Sequence, residues 1–133
     1  MNTVSVVCAA ALGFLLFGLG LAVSAVRGTS QTFIGHDADP AGQLHKLVRA
    51  HANTAEYAPY LAVIILYLGA HNPAPWVVWD MIAVTVLRYV FVAGMVLPAT
   101  MARPNPLRFI GAAGTYFTGL ALCVALVQGA LAG

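Results

Sequence analysis

Arg49, Asn53, Glu56 and Tyr60 follow one another at steps of four, three and four residues. On an α-helix, residues three and four apart share a face, so these side chains form one polar stripe, which His45 extends by a turn. The stripe leads directly into "LAVIILYL", an apolar run suited to hydrocarbon. An ionisable group facing lipid costs at least ~2.5 kcal/mol, so the stripe must face a protein interior or a wet cavity. Two roles follow. It can neutralise buried charge and set helix register, or it can coordinate a polar ligand entering from the cytoplasm. Arg88 is a further basic residue inside an apolar run and belongs in the same consideration.

Composition identifies the medium in which this chemistry sits. Hydrophobic residues make up 61% of the 133-residue chain and charged residues 8%, too little charge to cover a soluble domain of that length. The sequence therefore describes an all-α integral membrane protein, a single domain over residues 1–133 with no soluble module. A bilayer core of about 30 Å takes about 20 apolar residues per helix. Four segments meet or approach that need, roughly 4–26, 44–68, 76–97 and 107–131, the second being apolar only in its later half. The net charge of +2 is too small to suggest a nucleic-acid partner. No Gly-rich phosphate loop and no nucleophile elbow is present.

The connecting segments, "RGTSQTFIGHDADPAGQ", "GAHNPAP" and "PATMARPNP", hold the Gly, Pro, Asn and Asp that punctuate helices. Arg27, Lys46 and Arg49 cluster at the first, and Arg103 and Arg108 at the third. Positive charge marks the cytoplasmic side, so both termini are expected on the other side. The first loop reads as a capping loop, with Asp39 ahead of the second helix. Trp76 and Trp79 read as interface anchors. Gly13, Gly18, Gly111, Gly114 and Gly119 read as points of close helix approach. Cys8 and Cys123 read as inert thiols in apolar surroundings.

Depth suggests a partner for Glu56. At a rise of about 1.5 Å per residue, Glu56 lies roughly 18 Å into the second span and Arg88 roughly 14 Å into the third, both measured from the cytoplasmic end. An ion pair between them is therefore expected. Pro59 interrupts the backbone hydrogen bonding of the second helix by leaving the Ala55 carbonyl without its usual donor. That change either shapes a cavity or bends the helix for packing.

The run "RAHANTAEYAP" has the pattern R-A-H-x-N-x-x-E-x-x-P on the second of four short spans. It resembles the MAPEG family, the membrane-associated proteins in eicosanoid and glutathione metabolism. The resemblance covers nearly the whole chain. It implies a four-helix bundle assembled as a homotrimer, with glutathione as co-substrate bound between subunits near the cytoplasmic side. Carried over by position, Arg49, Asn53, Glu56 and Arg88 fall among the residues that hold glutathione or stabilise its site. Arg27, at the end of the first span, matches an arginine that reaches the glutathione carboxylates. Arg108, at the start of the fourth, matches a basic position near the thiol and is the catalytic candidate. The chemistry is consistent: arginine forks bind carboxylates through two parallel donors, Glu56 can accept the ammonium, and a cation beside the thiol favours the reactive thiolate.

The sequence also departs from the pattern. Phe91 and Met95 stand where the prostaglandin synthase branch has a histidine and a tyrosine. Ala112 replaces a tyrosine, and Ala52 replaces a frequent second arginine. In these respects the chain is similar to bacterial members, which implies a bacterial inner membrane. Two functions follow. One is a glutathione transferase or peroxidase acting on a lipophilic electrophile that arrives through the bilayer; it requires the polar residues to converge on a cavity open to the cytoplasm. The other is an accessory subunit of a trimer or larger membrane complex; it requires a filled, dry site. A small transporter with a Glu–Arg relay is a weaker third reading, because no broken-helix repeat is present.

Overall fold

The computed structural model describes residues 1–132. Four α-helices account for most of them: α1 (Thr3–Ser30), α2 (Gln43–Ala70), α3 (Pro75–Val96) and α4 (Pro106–Ala132). By length and composition α1, α3 and α4 can each cross a membrane, and the protein is an integral membrane protein. α2 is as long as α1 but is not apolar enough by that measure, because the polar stripe occupies its first half.

The helices form two tightly packed pairs, α1 with α2 and α3 with α4. α2 and α3 join the pairs, and among the described residues α1 and α4 do not touch. α3 meets α4 by backbone-to-backbone packing. A Cβ placed on Gly111 would overlap the backbone of Phe91, and one on Gly94 would overlap the backbone of Arg108. Only hydrogen fits at such an approach. Gly114 packs against the Leu87 side chain, whereas Gly119 has only an ordinary contact and Gly13 and Gly18 face open space. The close approach expected at those last two positions is absent.

Both ends of the bundle are tied. At one end the Asn2 amide donates to the Gly69 carbonyl at 2.8 Å. At the other, the Met101 amide donates to the Pro40 carbonyl at 2.8 Å and Lys46 Nζ donates to the Pro98 carbonyl at 3.0 Å. These two bonds tie the first loop and the first turn of α2 to the third loop, at the end of the bundle where Arg27, Lys46, Arg103 and Arg108 lie.

The first loop is shorter than its polar composition suggests. α1 continues through "RGTS" because the Thr29 and Ser30 hydroxyls bond back to the Val26 carbonyl. It ends at Gln31, whose φ of 54° is left-handed. Asp39 does not cap α2. Its carboxylate accepts from the Ala41 amide at 2.9 Å, closing a turn across Pro40, and Gly42 occupies the N-cap. α2 runs unbroken through Pro59, which lies on its exposed side.

Side chains are buried in two apolar clusters. One holds Leu12, Ile65, Met81 and Leu122, and the other holds Leu19, Leu47, Phe91 and Met95. On α2 and α3 the residues falling between the two clusters in chain order include Thr54, Thr85 and Arg88. A polar layer thus crosses the middle of the bundle.

Candidate functional site

Arg88 is the centre of that layer. It is 1% exposed, and its Nη2 donates to Asn53 Oδ1 at 2.7 Å, linking α3 to α2. Its guanidinium carbon lies 5.1 Å from the centre of the Tyr57 ring and 4.9 Å from that of Phe91. Both are within cation–π range, which offsets part of the cost of taking the charge out of water. Arg88 Nε and Thr54 Oγ1 are buried with no hydrogen-bond partner among the described residues.

The ion pair expected between Glu56 and Arg88 is not what forms. Glu56 is exposed, and Asn53 occupies the position expected for it. A helix turns about 100° per residue. When Asn53 faces α3, Glu56 therefore points about 60° away and Tyr57 about 40° to the other side. This is why Tyr57 meets the arginine. Tyr57 stands outside the polar stripe in sequence, and its four-residue spacing from Asn53 is the one signal that marks it.

Glu56 and Tyr57 instead border a groove of about 470 Å³ between α2 and α4, with Tyr60, Thr115, Tyr116 and Cys123 among its walls. The Tyr57 and Tyr116 ring centres are 6.0 Å apart. Cys8 and Cys123 are free thiols, buried and half-buried respectively.

Arg108 lines a second, larger groove of about 700 Å³ with Asn105, Phe91, Ala112 and Phe109. Its guanidinium is held by loop carbonyls, Nη1 donating to Met101 at 3.0 Å and Nη2 to Arg103 at 3.2 Å. Arginine has five N–H donors, so three remain. Apart from Arg108 and Asn105, the residues around this groove are apolar or proline.

The other residues singled out from sequence lie apart. Arg49 is exposed on α2. Arg27 Nη1 donates to the Thr32 carbonyl at 3.1 Å at the end of α1, on the helix that does not reach α4. Within one chain, Asn53 and Arg88 meet, Glu56 lies one turn along α2, Arg108 is on the far side of Phe91, and Arg27 bonds to its own helix end. His51 of the motif packs on α1, its Nε2 about 3.3 Å from where a Gly20 Cβ would stand.

The arrangement of helices and motif is reflected in comparison with known families. Residues 5–128 match the MAPEG family. The chain belongs to the MAPEG family. Membership places it, in general terms, among membrane proteins of eicosanoid and glutathione metabolism. No curated protein and no solved structure matches the chain. What distinguishes this MAPEG chain is therefore read from its own side chains. Phe91 is the clearest of them: the sequence marks it only as a departure, yet its ring both covers Arg88 and lines the groove of Arg108.

Proposed function

We propose that the protein binds glutathione at the cytoplasmic half of α2, α3 and α4 and conjugates its thiolate to a lipophilic electrophile, as a membrane glutathione transferase or peroxidase. The observation that supports this most directly is Arg108, a cation with donors to spare set in a groove with largely apolar walls. Few groups other than an anion satisfy such a cation, and the surroundings suit an apolar molecule.

The donor set suits a peptide with two carboxylates and an ammonium. Arg49 and Arg27 offer forks for carboxylates, and Glu56 accepts the ammonium. Glutathione, when bound, supplies the thiolate nucleophile. Arg108 holds that thiolate by charge, and Phe109, Pro104 and Ala112 exclude water around the reacting atoms.

Arg27 lies at the end of α1, which among the described residues has no contact with α4, the helix of Arg108. An Arg27 supplied by a neighbouring copy would complete the donor set, in keeping with a homotrimer that holds the ligand between subunits. The exposed Glu56 and Arg49 support the same assembly, since it shields them from lipid. The basic residues near the first and third loops support a reading in which that end faces the cytoplasm and both termini lie outside, in a bacterial inner membrane as the resemblance to bacterial members implies.

An accessory role in a larger membrane complex is the second reading, and one observation favours it. Phe91 and Met95 are buried, and Phe91 closes over Arg88 where a ligand-binding polar group would otherwise stand.

Calorimetric titration of the detergent-purified oligomer with glutathione decides between them, with Arg49→Ala and Glu56→Gln in parallel. Saturable binding weakened in both variants supports the enzyme. An intact oligomer with no binding at millimolar glutathione supports the accessory subunit.

A further inference from the structure

A third groove lies at the end of the bundle opposite Arg108. It encloses about 520 Å³ between the last turn of α2, the start of α3 and the last turns of α4, a volume in the range of small-molecule sites. Its lining residues Leu68, Val77 and Ala125 are buried, whereas His71, Asn72 and Gln128 are exposed. The groove is therefore apolar at its floor and polar at its mouth. Among the described residues, none that lines it is Asp, Glu, Lys or Arg. A charged group bound here would lose water and meet no counter-charge. Trp76 also lines the groove and is 47% exposed, as suits tryptophan at a bilayer interface.

The His71 ring has a defined polarity. Its Nδ1 lies 2.7 Å from the Tyr67 carbonyl, and the ring stacks on that of Tyr67 with centres 4.3 Å apart. A carbonyl only accepts, so Nδ1 carries the proton. In the neutral ring Nε2 then bears a lone pair and accepts. The indole N–H of Trp76 only donates, and the amides of Asn72 and Gln128 can do either.

We propose that this groove is a lipid site. It takes an uncharged amphiphile with a hydroxyl-bearing head, such as a monoacylglycerol, whose hydroxyl donates to His71 Nε2 while its chain lies on Leu68, Val77 and Ala125. A phospholipid fits less well, because its phosphate finds no cation among the lining residues. The site is separate from the proposed glutathione site and does not depend on it.

The test follows Trp76 fluorescence in the full chain carrying Trp79→Phe, reconstituted in phosphatidylcholine vesicles. The probe is a monoacylglycerol with a brominated chain, which quenches tryptophan on contact. Quenching saturates as the probe is added. Gly129 lines the groove, and a Cβ there meets nothing, so Gly129→Phe fills the groove without disturbing the helices, and the saturable quenching vanishes. Probes of equal chain length ending in sulfonate or trimethylammonium need at least about tenfold more. His71→Phe keeps the stack but not the acceptor, and weakens the glycerol probe by about 2–10-fold. The dimethyl ether of that probe, which cannot donate, binds His71→Phe and the parent alike.

Quenching that grows only in proportion to probe, and equally in Gly129→Phe, means ordinary bilayer contact, and the proposal is wrong. Equal affinity for the charged probes overturns the uncharged head. Unchanged affinity in His71→Phe overturns the role of His71. If no probe quenches Trp76 and acrylamide does not reach it, a neighbouring copy fills the groove and there is no lipid site.

Discussion

Arg88 on α3 and Asn53 on α2 are joined by a 2.7 Å hydrogen bond in the polar layer between the two apolar clusters. A charge this deep is tolerated only when its donors are occupied or its field is met by nearby dipoles. One Nη is occupied by Asn53, and two aromatic rings face the guanidinium. The bond also fixes the rotation of α2 against α3, and that rotation decides which residues of the stripe face out.

Breaking this bond from one side is therefore expected to cost more than removing it altogether. Arg88→Met leaves the Asn53 oxygen facing an apolar side chain and should lose about 1.5–3 kcal/mol. The double variant Arg88→Met/Asn53→Leu removes both polar groups and should recover most of that. Thermal or denaturant unfolding in a single detergent measures both. A double variant no more stable than the single one would show that Arg88 contributes by its charge rather than by this pairing.

The glycines should divide by their surroundings. Gly111→Ala forces a methyl group against the Phe91 backbone and is expected to cost about 1–3 kcal/mol, as overpacking does. Gly13→Ala and Gly18→Ala meet open space and should be neutral or should gain up to about 1 kcal/mol from helix propensity. Melting temperatures of the three variants check this. Comparable losses in all three would mean that the α1 face is covered as tightly as the α3–α4 contact.

Lys46 is expected to hold the start of α2 against the third loop. Lys46→Met removes the donor to the Pro98 carbonyl while keeping the apolar stem, for a loss of about 0.5–1.5 kcal/mol. The effect should be local. Amide exchange should rise in residues 97–105 and around Pro40, where Met101 is bonded, and remain unchanged in the core of α1.

Phe91 tests the proposed glutathione site. Phe91→His puts a hydrogen-bonding ring beside Arg88 and at the wall of the Arg108 groove. Glutathione affinity should rise by about 2–10-fold, the value of one added neutral hydrogen bond. Calorimetry checks it. An affinity unchanged by the substitution would show that Phe91 does not limit the proposed site.

Part of this molecule is legible in one dimension. Hydrophobic runs and their Pro and Gly boundaries determine the four helices, because in a bilayer each backbone polar group must be satisfied within its own segment. The placement of Arg27, Lys46, Arg49, Arg103 and Arg108 groups the first and third loops at one end, and the bonds from Met101 to Pro40 and from Lys46 on α2 to Pro98 tie that end together. The steps from Arg49 through Asn53 to Glu56 and Tyr60 determine a stripe, since helical periodicity is a local property.

Rotation about a helix axis is not local. Depth alone pairs Arg88 with Glu56, but depth fixes only height. The tight seating of Gly111 and Gly94 sets α3 against α4, the bond to Asn53 sets α2 against α3, and together they turn Tyr57 inward and Glu56 outward. Phe91 shows the same limit from the other direction. Its sequence position says only that a polar group is missing, whereas its packing makes it the wall between Arg88 and Arg108. Which of several residues on one face meets a given partner depends on a rotation of a few tens of degrees, and that rotation is decided by close packing between helices distant in sequence.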